Sequence, residues 1–215
     1  MTKEPLKNQA YRIIRDNICS CVYAPGSIIN EELIREDIHM SRTPIRDALS
    51  RLEQEGLIRI MPKKGIVISE ITVRELNMLY ETRSLLEPYV VKHYGSQVPP
   101  DIWLHYYRLY HDYLDGKTKD YSYDLMDESF HQVFIDASQN SYFRNLYSTI
   151  GSQIRRTRVV SGRASKPRLE ATVQEHITIV DAALKNDWKA ASAAMQHHLN
   201  MSKNAIFDYI LKQEG

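Results

Sequence analysis

At 215 residues, with 43% hydrophobic and 26% charged residues, the chain has room for one large domain or two small ones, each with a full core. Lys and Arg exceed Asp and Glu by only one, so bulk charge makes no case for nucleic acid. Residues 1–70 hold 11 basic against 10 acidic side chains, and residues 71–215 hold 17 against 17. The exception is local, with six basic against three acidic residues between positions 42 and 64. There is no charged-then-apolar leader and no apolar run of about 18 residues, so neither export nor a membrane span is indicated and the expected location is the cytoplasm. Cys19 and Cys21 stand two apart in a predicted helix and point to different sides, which excludes a C-x-x-C redox motif and a metal pair. Plain packing is expected of both.

Along the chain, Leu6, Ala10, Ile13, Ile14, Ile18 and Cys21 recur at helical spacing and predict an amphipathic helix over residues 5–22, broken by Tyr23-Ala24-Pro25-Gly26. Asn30 is placed to cap a second short helix, with Glu31 and Glu32 in its first turn, where carboxylates suit the helix dipole. Leu33, Ile34 and Ile38 are its apolar side, and His39-Met40 is a corner. Residues 41–56 then read as one helix with clear ends. Ser41 is the expected cap, Pro44 falls in the first turn, and Gly56 falls where a left-handed C-terminal residue is wanted. Ile45, Ala48, Leu49 and Leu52 form its buried stripe. Arg42 and Arg46, one turn apart beside Thr43, share the opposite face. Two forked guanidiniums on the first turns of a packed helix suit base edges in a major groove.

Leu57-Ile58-Arg59-Ile60 and Ile66-Val67-Ile68 predict two strands joined through Met61-Pro62-Lys63-Lys64-Gly65. A hairpin with Lys63, Lys64 and Gly65 at its tip, directly after the second helix of a helix-turn-helix, is a wing, and Gly65 allows close approach to a phosphate. Thr72-Val73-Arg74-Glu75 is a capping box, which sets a domain boundary at residues 70/71. The expected domains are 1–70, binding DNA, and 71–215, an all-α antiparallel bundle. Its helices are expected over 73–94, 101–115, 120–138, 142–161, 167–186 and 188–212.

Within the bundle, Asp127 and His131 lie four apart on one helix face. His176 falls inside the stripe Leu169, Val173, Ile177, Val180, Leu184, and His198 falls in register between Met195 and Ser202, with His197 off that stripe. Three imidazoles and a carboxylate facing one core can bind a divalent metal; buried histidines with ordinary hydrogen bonds are the other reading of the same spacing. Arg83 is a candidate for an effector's carboxylate, or for an intrahelical pair with Glu87 four residues on. Arg155 and Arg156 lie on a helix near the same core. The aromatic run Trp103, Tyr106, Tyr107, Tyr110, Tyr113 is assigned to bundle core or a subunit interface.

The run SRTPIRDALSRLEQEGLI, with Pro25-Gly26 and Pro62-Lys63-Lys64-Gly65, resembles the winged helix-turn-helix of the GntR family of bacterial transcription regulators. Glu81 to Glu87, D-x-x-F-H from Asp127 to His131, Glu175-His176 and His198-Leu199 resemble the FCD ligand-binding domain of its FadR subfamily, in the shorter VanR-like form. The resemblance covers nearly the whole chain. It implies a mainly α fold, a winged domain followed by the helical bundle, and a metal held by Asp127, His131, His176 and His198. Zinc comes first among the metals; nickel, manganese and iron suit the same donors. It further implies no enzymatic activity. The expected function is that of a repressor, a homodimer on a palindromic double-stranded operator, with Ser41, Arg42, Thr43, Arg46, Lys63, Lys64 and Gly65 at the DNA and a small organic acid as effector. Where acyl-CoA-responsive members carry a DNA-contacting Arg, this chain has Glu32, so that contact is not carried over and a long-chain acyl ligand is not expected. Two other functions fit the residues: an architectural DNA-binding protein with a purely structural metal, and a helical metalloenzyme.

Overall fold

A computed structural model describes residues 4–117, 123–164 and 166–214, which form two compact units, Met1–Ile71 and Thr72–Gly215. In the first unit, α1 (Leu6–Cys19) packs on α3 (Arg42–Gln54), and the shorter α2 (Glu31–Ile38) lies between them in sequence. Ala10, Ile14 and Ile18 of α1 meet Ile34 of α2 and Ile45, Ala48, Leu49 and Leu52 of α3 in one buried cluster. α1 is shorter than its apolar pattern suggests. Cys21 already has a φ of 54°, outside the helix, and both cysteines are buried and form no disulfide. Leu33, expected on the buried side of α2, is 39% exposed.

The ends of α3 follow from their side chains. Gly56 adopts a φ of 72°, and the amides of Gly56 and Leu57 donate to the carbonyls of Glu53 and Leu52 at 3.0 Å, a Schellman closure. Ser41 occupies the N-cap position with extended backbone but makes no capping hydrogen bond through its side chain. The third residue of the helix, whose amide a capping hydroxyl would engage, is Pro44, which has no N–H. Asn30, in contrast, accepts from the Leu33 amide at 2.7 Å and caps α2, and His39 closes it in the left-handed region at φ 51°.

The wing comprises β2 (Ile58–Met61) and β3 (Gly65–Ile68), antiparallel in the register Ile58↔Ile68 to Met61↔Gly65. A third strand absent from the sequence reading, β1 (Ile28–Ile29), pairs with the other edge of β3, giving the order β1-β3-β2. β1 fixes the need for Gly65. At its φ of 112°, a Cβ would lie 2.6 Å from the Ile29 carbonyl oxygen.

The second unit is helical throughout its described residues: α4 (Val73–Tyr94), one 3-10 turn (Gly95–Gln97), α5 (Pro100–Leu114), α6 (Tyr123–Ala137), α7 (Ser141–Ala164), α8 (Lys166–Leu184) and α9 (Trp188–Glu214). Thr72 and Glu75 form the reciprocal capping box at the start of α4, each accepting from the other's amide at 3.2 Å. The expected start of α6 at residue 120 lies outside the described residues. α7 runs through Gly162, where a break was expected. α9 packs on α4, α7 and α8, α5 on α8, and α6 on α4 and α7, so α4, α5 and α7 pack around α6, α8 and α9. Trp103, Tyr106 and Tyr110 of α5 are buried, whereas Tyr107 is partly exposed. Among the described residues no helix is long and apolar enough to cross a membrane.

Candidate metal centre and nucleic-acid interface

Asp127 and His131 stand one turn apart on α6, and α8 and α9 each contribute one inward histidine, His176 and His198. One ligand atom from each of the four lies within 4.8 Å of the others, and all four residues are buried. His176 Nε2 is 3.4 Å from Asp127 Oδ1 and 3.3 Å from His198 Nε2; His131 Nε2 is 3.9 Å from the same Asp127 oxygen.

What aims the nitrogens inward is a layer of carboxylates behind the rings. His131 Nδ1 donates to Glu87 of α4 at 2.6 Å, and His198 Nδ1 donates to Glu175 of α8 at 2.8 Å. A carboxylate only accepts, so each Nδ1 carries the proton and each Nε2 presents its lone pair to the centre. His176 is held instead by the rings of Phe130 and Tyr110, with centroids 4.6 and 5.3 Å away.

Each carboxylate has an arginine. Glu87 accepts from Arg83 Nε at 2.6 Å, Glu175 takes a two-pronged bond from Arg168 at 2.6 and 3.1 Å, and Asp127 pairs with Arg158 Nε of α7. Burial alone would raise the Asp127 carboxyl, but Arg158 and the surrounding imidazoles hold it far below the usual carboxylate range. Glu87 is lowered in the same way against its burial, by Arg83 and His131. Burial pushes His131 down to about 4 despite Glu87, and His176 is also pushed down by burial and by the neighbouring His198. His131 and His176 are therefore held in the neutral form, the form that binds metals.

Donors on one divalent ion at about 2.0–2.2 Å lie within about 4.4 Å of one another. The observed cluster needs only a few tenths of an ångström of contraction to meet that. His131 Nε2 is buried with no hydrogen-bond partner, the kind of orphan that a cation resolves. The residues fit a borderline divalent metal.

Arg83, read from the sequence as either an effector contact or an intrahelical partner of Glu87, is paired with Glu87 and is 1% exposed. Arg158 was not singled out by the sequence reading, which considered Arg155 and Arg156. It lies in register with Tyr147 and Ile154, the buried stripe of α7, and that spacing is the signal that finds it. Glu175 and Arg168 carry no such signal, because they act from outside the stripe.

In the first unit, Ser41, Arg42, Thr43 and Arg46 are exposed at the start of α3, and Lys63 and Lys64 are exposed on the wing, with Gly65 partly covered by β1. The two arginines do not stand alone. Arg46 Nε donates to Glu31 Oε2 of α2 at 3.0 Å, while Arg42 lies 3.9 Å from both Glu31 and Glu32. The amide of Lys64 donates to the Met61 carbonyl at 3.0 Å, with Pro62 second in the turn and Lys63 third at φ 64°, the type II pattern.

A winged helix-turn-helix unit followed by a helical unit built round buried ionisable groups defines a DNA-binding transcription regulator. The chain belongs to the GntR family of bacterial regulatory proteins: that family's model matches residues 6–68, and the FCD domain model matches residues 78–201. It is a DNA-binding transcription regulator and not an enzyme. It is 26% identical over 209 residues to the HTH-type transcriptional repressor RspR of Escherichia coli, covering 94% of this chain and 90% of RspR. It is 30% identical over 185 residues to the Nta operon transcriptional regulator of Aminobacter aminovorans, covering 83% and 85%. Among solved structures, E. coli McbR/YncC superposes with a TM-score of 0.80 over 96% of this chain and 99% of that one, at 15% identity.

Proposed function

We propose that the chain is a homodimeric, metal-containing repressor whose operator affinity is set by a small carboxylate-bearing metabolite bound in the helical unit. The observation that carries this is the convergence of three imidazole Nε2 atoms and Asp127 in a buried centre. Asp127, His131, His176 and His198 would hold the ion, which when bound supplies Lewis-acid positions for an anionic ligand.

The charge balance favours an anion. Asp127, Glu87 and Glu175 are already matched by Arg158, Arg83 and Arg168, and burial holds His131 and His176 neutral. A divalent cation therefore arrives with its charge uncompensated in a low-dielectric core, and an organic acid is the ligand class that compensates it. Arg83 is our candidate for the acid's carboxylate. Because it is committed to Glu87, it would meet the ligand by sharing or exchanging that partner.

At the DNA, Arg42 and Arg46 are assigned to base edges, Ser41 and Thr43 to the backbone or a thymine methyl, and Lys63, Lys64 and Gly65 to the wing contact. Two copies would occupy the halves of a palindrome. Coupling between effector and DNA of about 1–3 kcal/mol changes operator affinity about 5–150-fold.

The test uses full-length protein purified without chelator: elemental analysis first, then fluorescence anisotropy on a duplex selected from a randomised pool, with a panel of carboxylic acids with and without added metal. Stoichiometric metal and an acid that weakens DNA binding only in its presence are expected. Protein that retains no metal, or whose DNA affinity no acid changes, refutes the proposal; metal whose removal melts the helical unit without any acid response assigns it a structural role.

A further inference from the structure

Glu31 is the acidic residue set deepest in the basic face at the start of α3. Its side chain is 28% exposed, against 63% and 67% for Arg42 and Arg46. Its two oxygens are used differently. Oε2 accepts from Arg46 Nε at 3.0 Å, whereas Oε1 is buried without a hydrogen bond and has Arg42 Nε at 3.9 Å. Glu31 also borders the groove between α3 and the wing, together with Arg46, Ile60, Lys63 and Gly65. A carboxylate there repels phosphate, so its presence on a DNA-binding face calls for a reason. The helix dipole of α2 is served equally by Glu32, which pairs with Arg35 at 3.1 Å and leaves α3 nearly untouched.

We infer that Glu31 is a specificity-determining positioning residue for Arg46, an assignment that rests on the reading of α3 as the base-reading helix. An arginine grips guanine end-on through its two Nη groups, and Nε is the N–H left over. Glu31 occupies that N–H. It fixes the guanidinium plane and removes rotamer freedom that would otherwise be lost on binding. On a matched site Arg46 keeps Glu31 while its fork engages the base. On an unmatched site Arg46 gains only by swinging to a phosphate, which strips Glu31 of its partner and leaves a bare carboxylate facing the DNA backbone. Glu31 thus holds down non-specific binding while supporting specific binding. Arg42, at 3.9 Å from both acids, is held loosely and remains available to phosphate.

The experiment compares full-length wild type, Glu31→Gln, Glu31→Asp and Arg46→Met. Each is passed through selection from duplexes with a randomised core, followed by anisotropy on the wild-type-selected duplex and on a scrambled one across a salt series. For Glu31→Gln the ratio of the two affinities should fall about 10-fold, the scale of one good base contact. The scrambled duplex should bind more tightly with a salt slope steeper by about one, as one further phosphate is neutralised. The selected sequence should lose definition at the base that Arg46→Met also relaxes. Glu31→Asp keeps the charge at the start of α2 but cannot span the distance, and should lose discrimination in the same direction while its thermal midpoint stays at the wild-type value. If Arg46→Met leaves the selected sequence unchanged, the base-reading role of α3 is wrong. If Arg46→Met relaxes it but both Glu31 variants keep the wild-type ratio, only the role of Glu31 is overturned.

Discussion

Glu87→Gln separates two jobs that one carboxylate performs. Glu87 and Arg83 are each 1% exposed, and Glu87 accepts from both Arg83 Nε and His131 Nδ1 at 2.6 Å. Replacing it with the isosteric amide leaves a buried guanidinium uncompensated, and breaking a buried pair from one side costs about 3–5 kcal/mol. For a chain of this size that lowers the thermal midpoint by roughly 10 °C. The same change removes the charge that orients and polarises His131, a loss of about 10–100-fold in metal affinity. Adding Arg83→Met removes the stranded cation and should return most of the stability, yet it cannot restore the negative charge behind His131. The double variant should therefore melt near wild type and still bind metal weakly. Circular dichroism melting and competition for a chromophoric chelator read the two quantities independently. A double variant that recovers metal affinity along with stability would refute the positioning role, as would a Glu87→Gln single variant with undiminished metal affinity.

Three further outcomes follow from the same contacts. Metal supplied at about 100 times its dissociation constant should add about 2.7 kcal/mol of stability and raise the melting midpoint, and His176→Ala should abolish that rise; equal shifts in the two proteins would place the ion elsewhere. In metal-stripped protein, burial holds His131 down to about 4 and lowers His176 too, so their neutral forms favour the fold. That stability is complete above the unfolded histidine value of about 6.5 and is lost as pH falls through about 4, about 3 kcal/mol for His131 alone. Asp127 and Glu87, both held low, stay ionised across this window, so a urea midpoint that does not move between pH 7 and pH 4 contradicts the assignment. Gly65→Ala should destabilise the winged unit by about 2 kcal/mol or more, because its Cβ meets the Ile29 carbonyl at 2.6 Å and its φ is 112°; a wild-type midpoint would mean that β1 yields freely.

Side chains that act on their own helix were the ones legible in the sequence. Gly56 and the Thr72–Glu75 box announce helix ends because the bonds they make span only three to five residues. His176 and His198 could be placed inward because a polar residue inside a 3.6-residue stripe must face the core. Ser41 misled because its capping partner is the nitrogen of Pro44, a conflict visible only once both rules are applied to the same turn. β1 was hidden because two residues cannot show an alternation; its only trace is Gly65, whose requirement comes from a strand some 35 residues earlier in the chain. α7 runs through Gly162 because one glycine costs a helix only about 1 kcal/mol, too little by itself to end it.

The arginines set the limit of that reading. Arg83, Arg158 and Arg168 are three cations on three helices; spacing pairs Arg83 with Glu87 and puts Arg158 in the stripe of α7, but it does not give Arg158 or Arg168 its carboxylate. Each is the counterion of a carboxylate at the histidine cluster, so Asp127 can stay ionised beside the buried imidazoles within one core. Without Arg158, burial would raise the Asp127 carboxyl towards its protonated form, and a protonated acid is a poor ligand. Without Arg83, Glu87 would be driven the same way and would no longer accept the His131 proton. The metal-binding competence of the four inner residues is thus a property of ten side chains: the four themselves, Glu87 and Glu175 behind two of the rings, three arginines, and Phe130 against His176. Sequence spacing finds the inner four because they share faces. Among the outer six, spacing marks Arg83, Glu87 and Arg158; the others follow from which helices the fold brings together.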